Sequence, residues 1–306
     1  MKIEARAKIN LTLNVTGRRD NGYHDLELIF QPVSLCDTLY IEKKPDQSLA
    51  FSCSVKLFEN EDNLVCKTYR AMAQRYPQIG GLSVFLKKRI PSGAGMAGGS
   101  TDAAAMIRAL DQMYGLHMTW EQKKEIAVSL GADVAACLLT QASIGRGIGE
   151  ELTKIDTDFT YSILVLKPKV SFSTAQMYRA IDESGQITQR YLSQEAAAGL
   201  ETKDLDRICA NLYNVFEEAI PEKAVIRELK QALTRSGAIG SLMTGSGSVS
   251  YTHLDVYKRQ VKGRHGILRD YIRIAMKAAV SKESVRIRFH NNKSLPWSSV
   301  FSSWIV

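Results

Sequence analysis

Four of the nine residues from Pro91 to Gly99 are glycine, and the run joins two strongly patterned segments. Leu82–Ile90 reads as a strand, and Ala103–Tyr114 places Met106, Ile107, Leu110, Met113 and Tyr114 at helical spacing. Glycines let a backbone turn tightly and aim successive N–H groups into one concavity. A helix opening directly after the turn adds unbonded N–H groups and the positive end of its dipole. A strand, glycine loop and helix in that order make a phosphate cradle. Its candidate residues are Pro91, Gly93, Gly95, Met96, Ala97, Gly98, Gly99, Ser100 and Thr101. The plainer alternative is a glycine-rich turn with Ser100 or Asp102 as the helix cap.

Two familiar loops are excluded. Gly93 to Gly98 matches G-x-G-x-x-G, but the following helix leads into a second helix and not the strand of a βαβ unit, so the match is accidental. The Walker pattern ending in Gly-Lys-Ser/Thr is absent from the run.

The net charge of +8 is unevenly spread. Residues 249–306 carry eleven Lys or Arg against three Asp or Glu, so the first 248 residues carry 29 of each sign. A basic total invites a nucleic-acid or anionic-membrane reading, but a neutral body with a basic end makes that footprint weak. The expectation is a chain that binds neither. The five cysteines show no CxxC spacing and suit a reducing cytoplasm. The N-terminus has Lys2, Glu4, Arg6 and Lys8 in place of an apolar targeting core, and no run of 18 apolar residues exists.

Elsewhere, Ile9, Leu11, Leu13 and Val15 alternate with Lys8, Asn10, Thr12 and Asn14, which predicts a half-buried strand with Lys8 and Asn10 on its polar face. Strands are expected near 24–32, 38–43 and 161–166. Helices are expected over 63–76, 174–183, 193–199, 204–217 and 222–236. Thr119 and Gln122 form a capping box for a helix that stops near Gly131. A second glycine-rich turn spans 237–248, and a domain boundary is expected near 150–160.

Three segments together resemble the GHMP kinase superfamily: Ala7-Lys8-Ile9-Asn10-Leu11, the loop from Pro91 to Asp102, and Gly240-Ser241-Leu242-Met243-Thr244-Gly245-Ser246-Gly247-Ser248. Gly22-Tyr23-His24, Glu61-Asp62-Asn63-Leu64, Gly131-Ala132-Asp133-Val134 and Gly147-Ile148-Gly149-Glu150 are similar, more narrowly, to the branch that phosphorylates 4-diphosphocytidyl-2-C-methyl-D-erythritol. The resemblance covers roughly residues 1–248. It implies an α+β fold of two domains. Residues 1–155 would be like ribosomal protein S5 domain 2, and residues 156–248 would be an incomplete ferredoxin-like domain. It implies ATP-dependent phosphorylation of one hydroxyl of a small cytidine-diphosphate-linked polyol. Other GHMP kinases, of the homoserine or mevalonate type, and a non-catalytic nucleotide-binding module are the alternatives.

The resemblance also implies roles. Asp133 would be the base that takes the hydroxyl proton, and Lys8 would stand beside that hydroxyl and stabilise developing charge. Asn10 would orient a substrate oxygen. Tyr23 and His24 would hold cytosine, with Tyr178 as a second stacking aromatic. Asn63 and Lys88 align near the adenine end of ATP, or are a helix cap and a strand-end charge. Mg²⁺ is expected with ATP, and Ser100 is a possible ligand, although no carboxylate cluster marks a metal cage. Two stretches depart from the family. Ala135-Ala136-Cys137 stands where a proline and an aromatic are usual, and Thr140-Gln141 replaces a glycine pair.

Beyond Ser248 the pattern changes. Val249–Gln260 resembles the translation of a palindromic transposon end used in preparing sequencing libraries. Residues 249–306 are therefore expected to be an appendage, and the second domain to expose apolar surface where a strand is missing.

Overall fold

The computed structural model describes residues 1–167, 172–184, 190–220, 223–235, 238–247, 249–254 and 286–288. Val170, Ser171, Ser248 and most of the expected appendage lie outside the described residues. In chain order the elements are β1 (Lys2–Arg18), β2 (His24–Lys43), β3 (Leu49–Cys53), α1 (Leu64–Arg75), β4 (Leu82–Lys87), α2 (Gly98–Tyr114), α3 (Trp120–Leu130), α4 (Ala132–Leu139), β5 (Ser143–Arg146) and β6 (Glu151–Lys154). Then come β7 (Ser162–Lys167), α5 (Thr174–Ser184), α6 (Ser193–Glu201), α7 (Leu205–Ala210), β8 (Tyr213–Asn214), α8 (Phe216–Ala219), α9 (Lys223–Arg235), β9 (Gly240–Met243), β10 (Ser250–Leu254) and β11 (Arg286–Arg288).

The chain divides into two compact units. The first holds Met1–Lys8, Phe30–Ser92 and Met96–Lys154, and the second holds Ile9–Ile29, Gly93–Gly95 and Ile155–Val306. The long strands β1 and β2 pass through both. In the first unit β4 pairs antiparallel with β2, Leu39 opposite Leu86 and Ile41 opposite Val84, and parallel with β3. Leu82, Val84 and Leu86 are buried and alternate with outward Ser83, Phe85 and Lys87, as one covered sheet face requires. The four helices α1–α4 close that face. Val65, Met72, Ala103, Met106, Leu110, Ile126 and Val134 join the strand residues in one core.

In the second unit β1 pairs parallel with β8. A separate antiparallel sheet has the order β11-β7-β10-β9. Counted along the chain this is fourth, first, third, second, the strand order of a ferredoxin-like sheet.

Two expectations are corrected here. The helix expected over 204–217 is broken into α7, β8 and α8. Asn214 is the cause: its amide donates to the carbonyls of Met243 and Gly245 at 2.7 and 2.8 Å, and its oxygen accepts from Phe216 N. Those tertiary bonds outweigh a weak local preference. The expected gap in the second sheet is also absent, since β10 pairs with β7 on one side and β9 on the other. Val249, Ser250, Tyr251 and His253 are all fully buried, as in a strand covered on both faces. That is a strand pattern whatever its origin.

Candidate active site

Lys8 and Asp133 meet in the first unit. Lys8 Nζ lies 3.6 Å from Asp133 Oδ2, the lysine side chain 7% exposed and the aspartate 42%. The buried ammonium also stands 5.4 Å from the centre of the Phe30 ring. The expected half-buried strand is instead buried on both faces from Ala7 to Val15, so Lys8 is covered, and its backbone N–H donates to Met96 O at 3.3 Å, which ties the strand to the glycine loop. Asp133 is held by a sharp break. Gly131 has φ 155°, which a side chain would resist, and it ends α3 and starts α4 so that Asp133 falls in the first turn of α4. A carboxylate there faces the positive end of the helix dipole.

The glycine loop begins α2 earlier than periodicity suggested. Gly98 and Gly99 are already helical, and Ala97 before them is left-handed at φ 56° with no side-chain cap. The first N–H groups of a 17-residue helix are thereby left without a cap at Gly98, Gly99 and Ser100. Thr101 Oγ1 donates to Arg6 O at 2.6 Å.

Lys88 sits beneath this loop. Its ammonium pairs with Asp102 Oδ2 at 2.6 Å and with Asp37 Oδ2, and all three side chains are buried or nearly so. Asp37 Oδ1 accepts from the backbone of Arg89 and, at 2.8 Å, of Ile90. Asp37 therefore grips the chain entering the loop directly and the helix leaving it through Lys88. Burial pushes the Asp102 carboxyl up to about 8, opposed by Lys88 and reinforced by Asp37. Burial also works against the charge on Lys88, but the two carboxylates more than offset it and raise its pKa. Asn63 caps α1: Oδ1 accepts from Val65 N and Nδ2 donates to Phe58 O, both at 2.9 Å.

The second unit carries the other candidates. His24, first residue of β2, stacks on Tyr178 of α5 with ring centres 4.6 Å apart and planes 17° from parallel. Phe216 meets the Tyr178 ring edge-on at 5.0 Å. His24 Nε2 lies 2.7 Å from Asp182 Oδ1. Tyr23 is 57% exposed beside Gly22, whose φ of 84° makes the turn. Asn10 is fully buried. Its Nδ2 donates to Ile29 O at 3.4 Å and its backbone N–H to Thr244 Oγ1 at 2.9 Å. Gly95 packs on the third glycine segment so closely that a Cβ there would overlap the Thr244 carbonyl oxygen.

Residues 63–141 match the family described as GHMP kinases N terminal domain. The 4-diphosphocytidyl-2-C-methyl-D-erythritol kinase of Alkaliphilus metalliredigens (strain QYMF) is 36% identical over 260 residues, 84% of this chain and 88% of that one. The enzyme of the same name from Caldanaerobacter subterraneus subsp. tengcongensis is 34% identical over 286 residues, 92% of this chain and 98% of that one. This chain belongs to the 4-diphosphocytidyl-2-C-methyl-D-erythritol kinase family. A crystal structure of 4-(cytidine 5'-diphospho)-2C-methyl-D-erythritol kinase superposes with a TM-score of 0.74 at 28% identity, covering 94% of this chain and 98% of that one. The chain is thus an ATP-dependent small-molecule kinase with the α+β GHMP fold.

The kinase's departures from the family pattern fall in one place. Ala136, Cys137 and Thr140 line a small cleft together with Lys8 and Phe30. Burial pushes the Cys137 thiol up to about 12, so it is inert there. All five cysteines are free. Among the described residues no group of acidic, His or Cys side chains could hold a metal, and no helix is long and apolar enough to cross a membrane.

Sequence reading missed Asp37 and Asp182. Asp37 shows itself only as an acid inside an otherwise strand-like run. Asp182 had a usable signal, since it follows Tyr178 by four residues and so shares its helix face.

Proposed function

We propose that this kinase transfers the γ-phosphoryl group of ATP to a hydroxyl of 4-diphosphocytidyl-2-C-methyl-D-erythritol, a step of non-mevalonate isoprenoid synthesis in the cytoplasm. The observation that carries the chemistry is the Lys8–Asp133 pair, 3.6 Å apart and set at the end of a helix. The names of the relatives carry the substrate.

The acceptor hydroxyl oxygen forms the new bond to phosphorus, its proton passes to an Asp133 oxygen, and the bond from the γ-phosphorus to the β–γ bridging oxygen breaks to release ADP. Lys8 stabilises negative charge on the attacking oxygen and the transferring group. Backbone N–H groups from Gly93 to Thr101 cradle the phosphates, with Pro91 fixing the chain that enters the loop. Mg²⁺ would arrive with ATP and neutralise phosphate charge, with Ser100 as a candidate hydroxyl ligand. Asn63 and Lys88 shape the nucleotide end through the helix cap and the buried charge cluster. Tyr23, His24 and Tyr178 hold the cytosine, and Asn10 orients a substrate oxygen. A non-catalytic module would have no use for a buried lysine aimed at a half-exposed carboxylate.

The test is ATP turnover by the full chain with the cytidyl acceptor, homoserine or mevalonate, the product identified by mass. Phosphorylation of the cytidyl acceptor is the expected result. Turnover confined to homoserine or mevalonate overturns the reading.

A further inference from the structure

β4 ends at Lys87, and the next three backbone N–H groups are taken by side chains. Lys88 N–H donates to Ser54 Oγ at 2.9 Å. Arg89 and Ile90 N–H both donate to Asp37 Oδ1. Asp37 is fully buried on β2. One carboxylate oxygen therefore fixes the chain just before Pro91, where the glycine run begins.

The other oxygen acts on the far end of that run. Asp37 Oδ2 pairs with Lys88 Nζ, and the same ammonium pairs with Asp102 Oδ2 at 2.6 Å, one turn into α2. The start of α2 also rests on residues that Asp37 holds. A Cβ on Gly98 would lie 3.2 Å from Ile90 Cγ2 and 3.4 Å from Lys88 Nζ. Hydrogen bonds to a buried charged acceptor are the strong kind. Removing Asp37 would leave the buried Ile90 N–H without its acceptor, and the chain would have to shift to find another.

We propose that Asp37 is a positioning residue for the nucleotide: by holding both ends of the glycine run it sets where the N–H groups of Gly98, Gly99 and Ser100 meet the phosphates, and so sets ATP affinity without touching ATP. This rests on the reading of the run from Pro91 to Thr101 as the phosphate cradle. A cradle of backbone N–H groups works by geometry alone, so a small displacement of its base costs binding that no side chain in the loop can restore. An acid that served only the core would lower stability and leave the affinity of the folded protein as it was.

The test uses the full chain as wild type, Asp37→Asn and Asp37→Ala. The ATP dissociation constant is measured by titration calorimetry, which needs no acceptor, and KM for the cytidyl acceptor by turnover. Asn keeps an oxygen for the Arg89 and Ile90 N–H groups but turns an amide towards Lys88. The ATP dissociation constant should rise by at least roughly threefold in Asp37→Asn and by roughly tenfold or more in Asp37→Ala. KM for the acceptor should stay within about twofold in both. Amide hydrogen exchange should quicken across residues 88–102 in the variants and keep wild-type rates in α1 and α3. An unchanged ATP dissociation constant in Asp37→Asn, or exchange that quickens equally throughout the first unit, overturns the proposal, and Asp37→Asn decides alone if Asp37→Ala does not fold. If ATP does not slow exchange across residues 88–102 in the wild type, the cradle reading fails and the proposal falls with it. If the wild type does not turn over the cytidyl acceptor, the substrate reading fails, and the calorimetry still decides the part of Asp37.

Discussion

Lys8 Nζ lies 3.6 Å from Asp133 Oδ2, and the two are exposed very differently, 7% against 42%. The lysine is held by its surroundings, while the carboxylate keeps one side exposed, as the proposed transfer to a hydroxyl requires. Asp133→Asn keeps the shape but cannot take a proton, and kcat should fall by roughly 10²–10⁴. Lys8→Met removes a charge aimed at the transition state, and kcat should fall by roughly 10²–10³. ATP binding should persist in Asp133→Asn, measured by titration calorimetry, because the glycine loop is a separate part. An unchanged kcat in Asp133→Asn would remove it from the mechanism.

Lys88 makes a different prediction from a lysine that touches nucleotide. Its ammonium pairs with two buried acids, Asp37 and Asp102. Lys88→Met strands both, and breaking a buried pair in this way costs about 3–5 kcal/mol. The urea midpoint of unfolding should drop accordingly. Were Lys88 mainly a nucleotide contact, the midpoint would hold and only KM for ATP would rise.

Much of this site was legible because its motifs are local. The Gly-rich run and Asp133 after a helix stop depend on neighbouring residues, and the fold places them accordingly, whereas Lys8 sits on a strand that distant segments bury on both faces. What was not legible depends on distant partners. Nothing near Lys88 announces Asp37, 51 positions earlier. The break at Asn214 is set by carbonyls of Met243 and Gly245. The start of α2 at Gly98 defies propensity, and packing explains it: a Cβ there would press Ile90 Cγ2 at 3.2 Å and Lys88 Nζ at 3.4 Å.

Two buried groups should tilt stability with pH in opposite directions. Asp102, raised from 3.8 to about 8, keeps a proton in the folded chain that the unfolded chain releases. Its contribution is therefore full below about pH 4 and is lost as pH rises towards 8. His253, lowered by burial from 6.5 to about 3, excludes a proton that the unfolded chain binds. Its contribution is full above about pH 6.5 and is lost as pH falls towards 3. Thermal midpoints from pH 4.5 to 8.5 should show both slopes. Asp102→Asn should flatten the alkaline side and His253→Phe the acid side, and a variant whose slope matches the wild type would clear that residue of its part.

Thr140 occupies a position that suits glycine. It closes α4 in the left-handed region at φ 53°, ψ 14°, where a β-branched side chain is strained. The family's glycine pair begins at this point, so the departure noted in the sequence has a backbone cost. A non-glycine residue held there costs on the order of 1–3 kcal/mol, partly offset in a Thr140→Gly variant by the greater freedom of glycine in the unfolded chain. Thr140→Gly should gain about 1 kcal/mol and raise the thermal midpoint by roughly 2–4 °C. The same change removes a side chain from the cleft beside Lys8, so kcat is measured alongside. A lower midpoint in Thr140→Gly would mean that the threonine's contacts outweigh its strain, and the left-handed backbone would then be no burden to the fold.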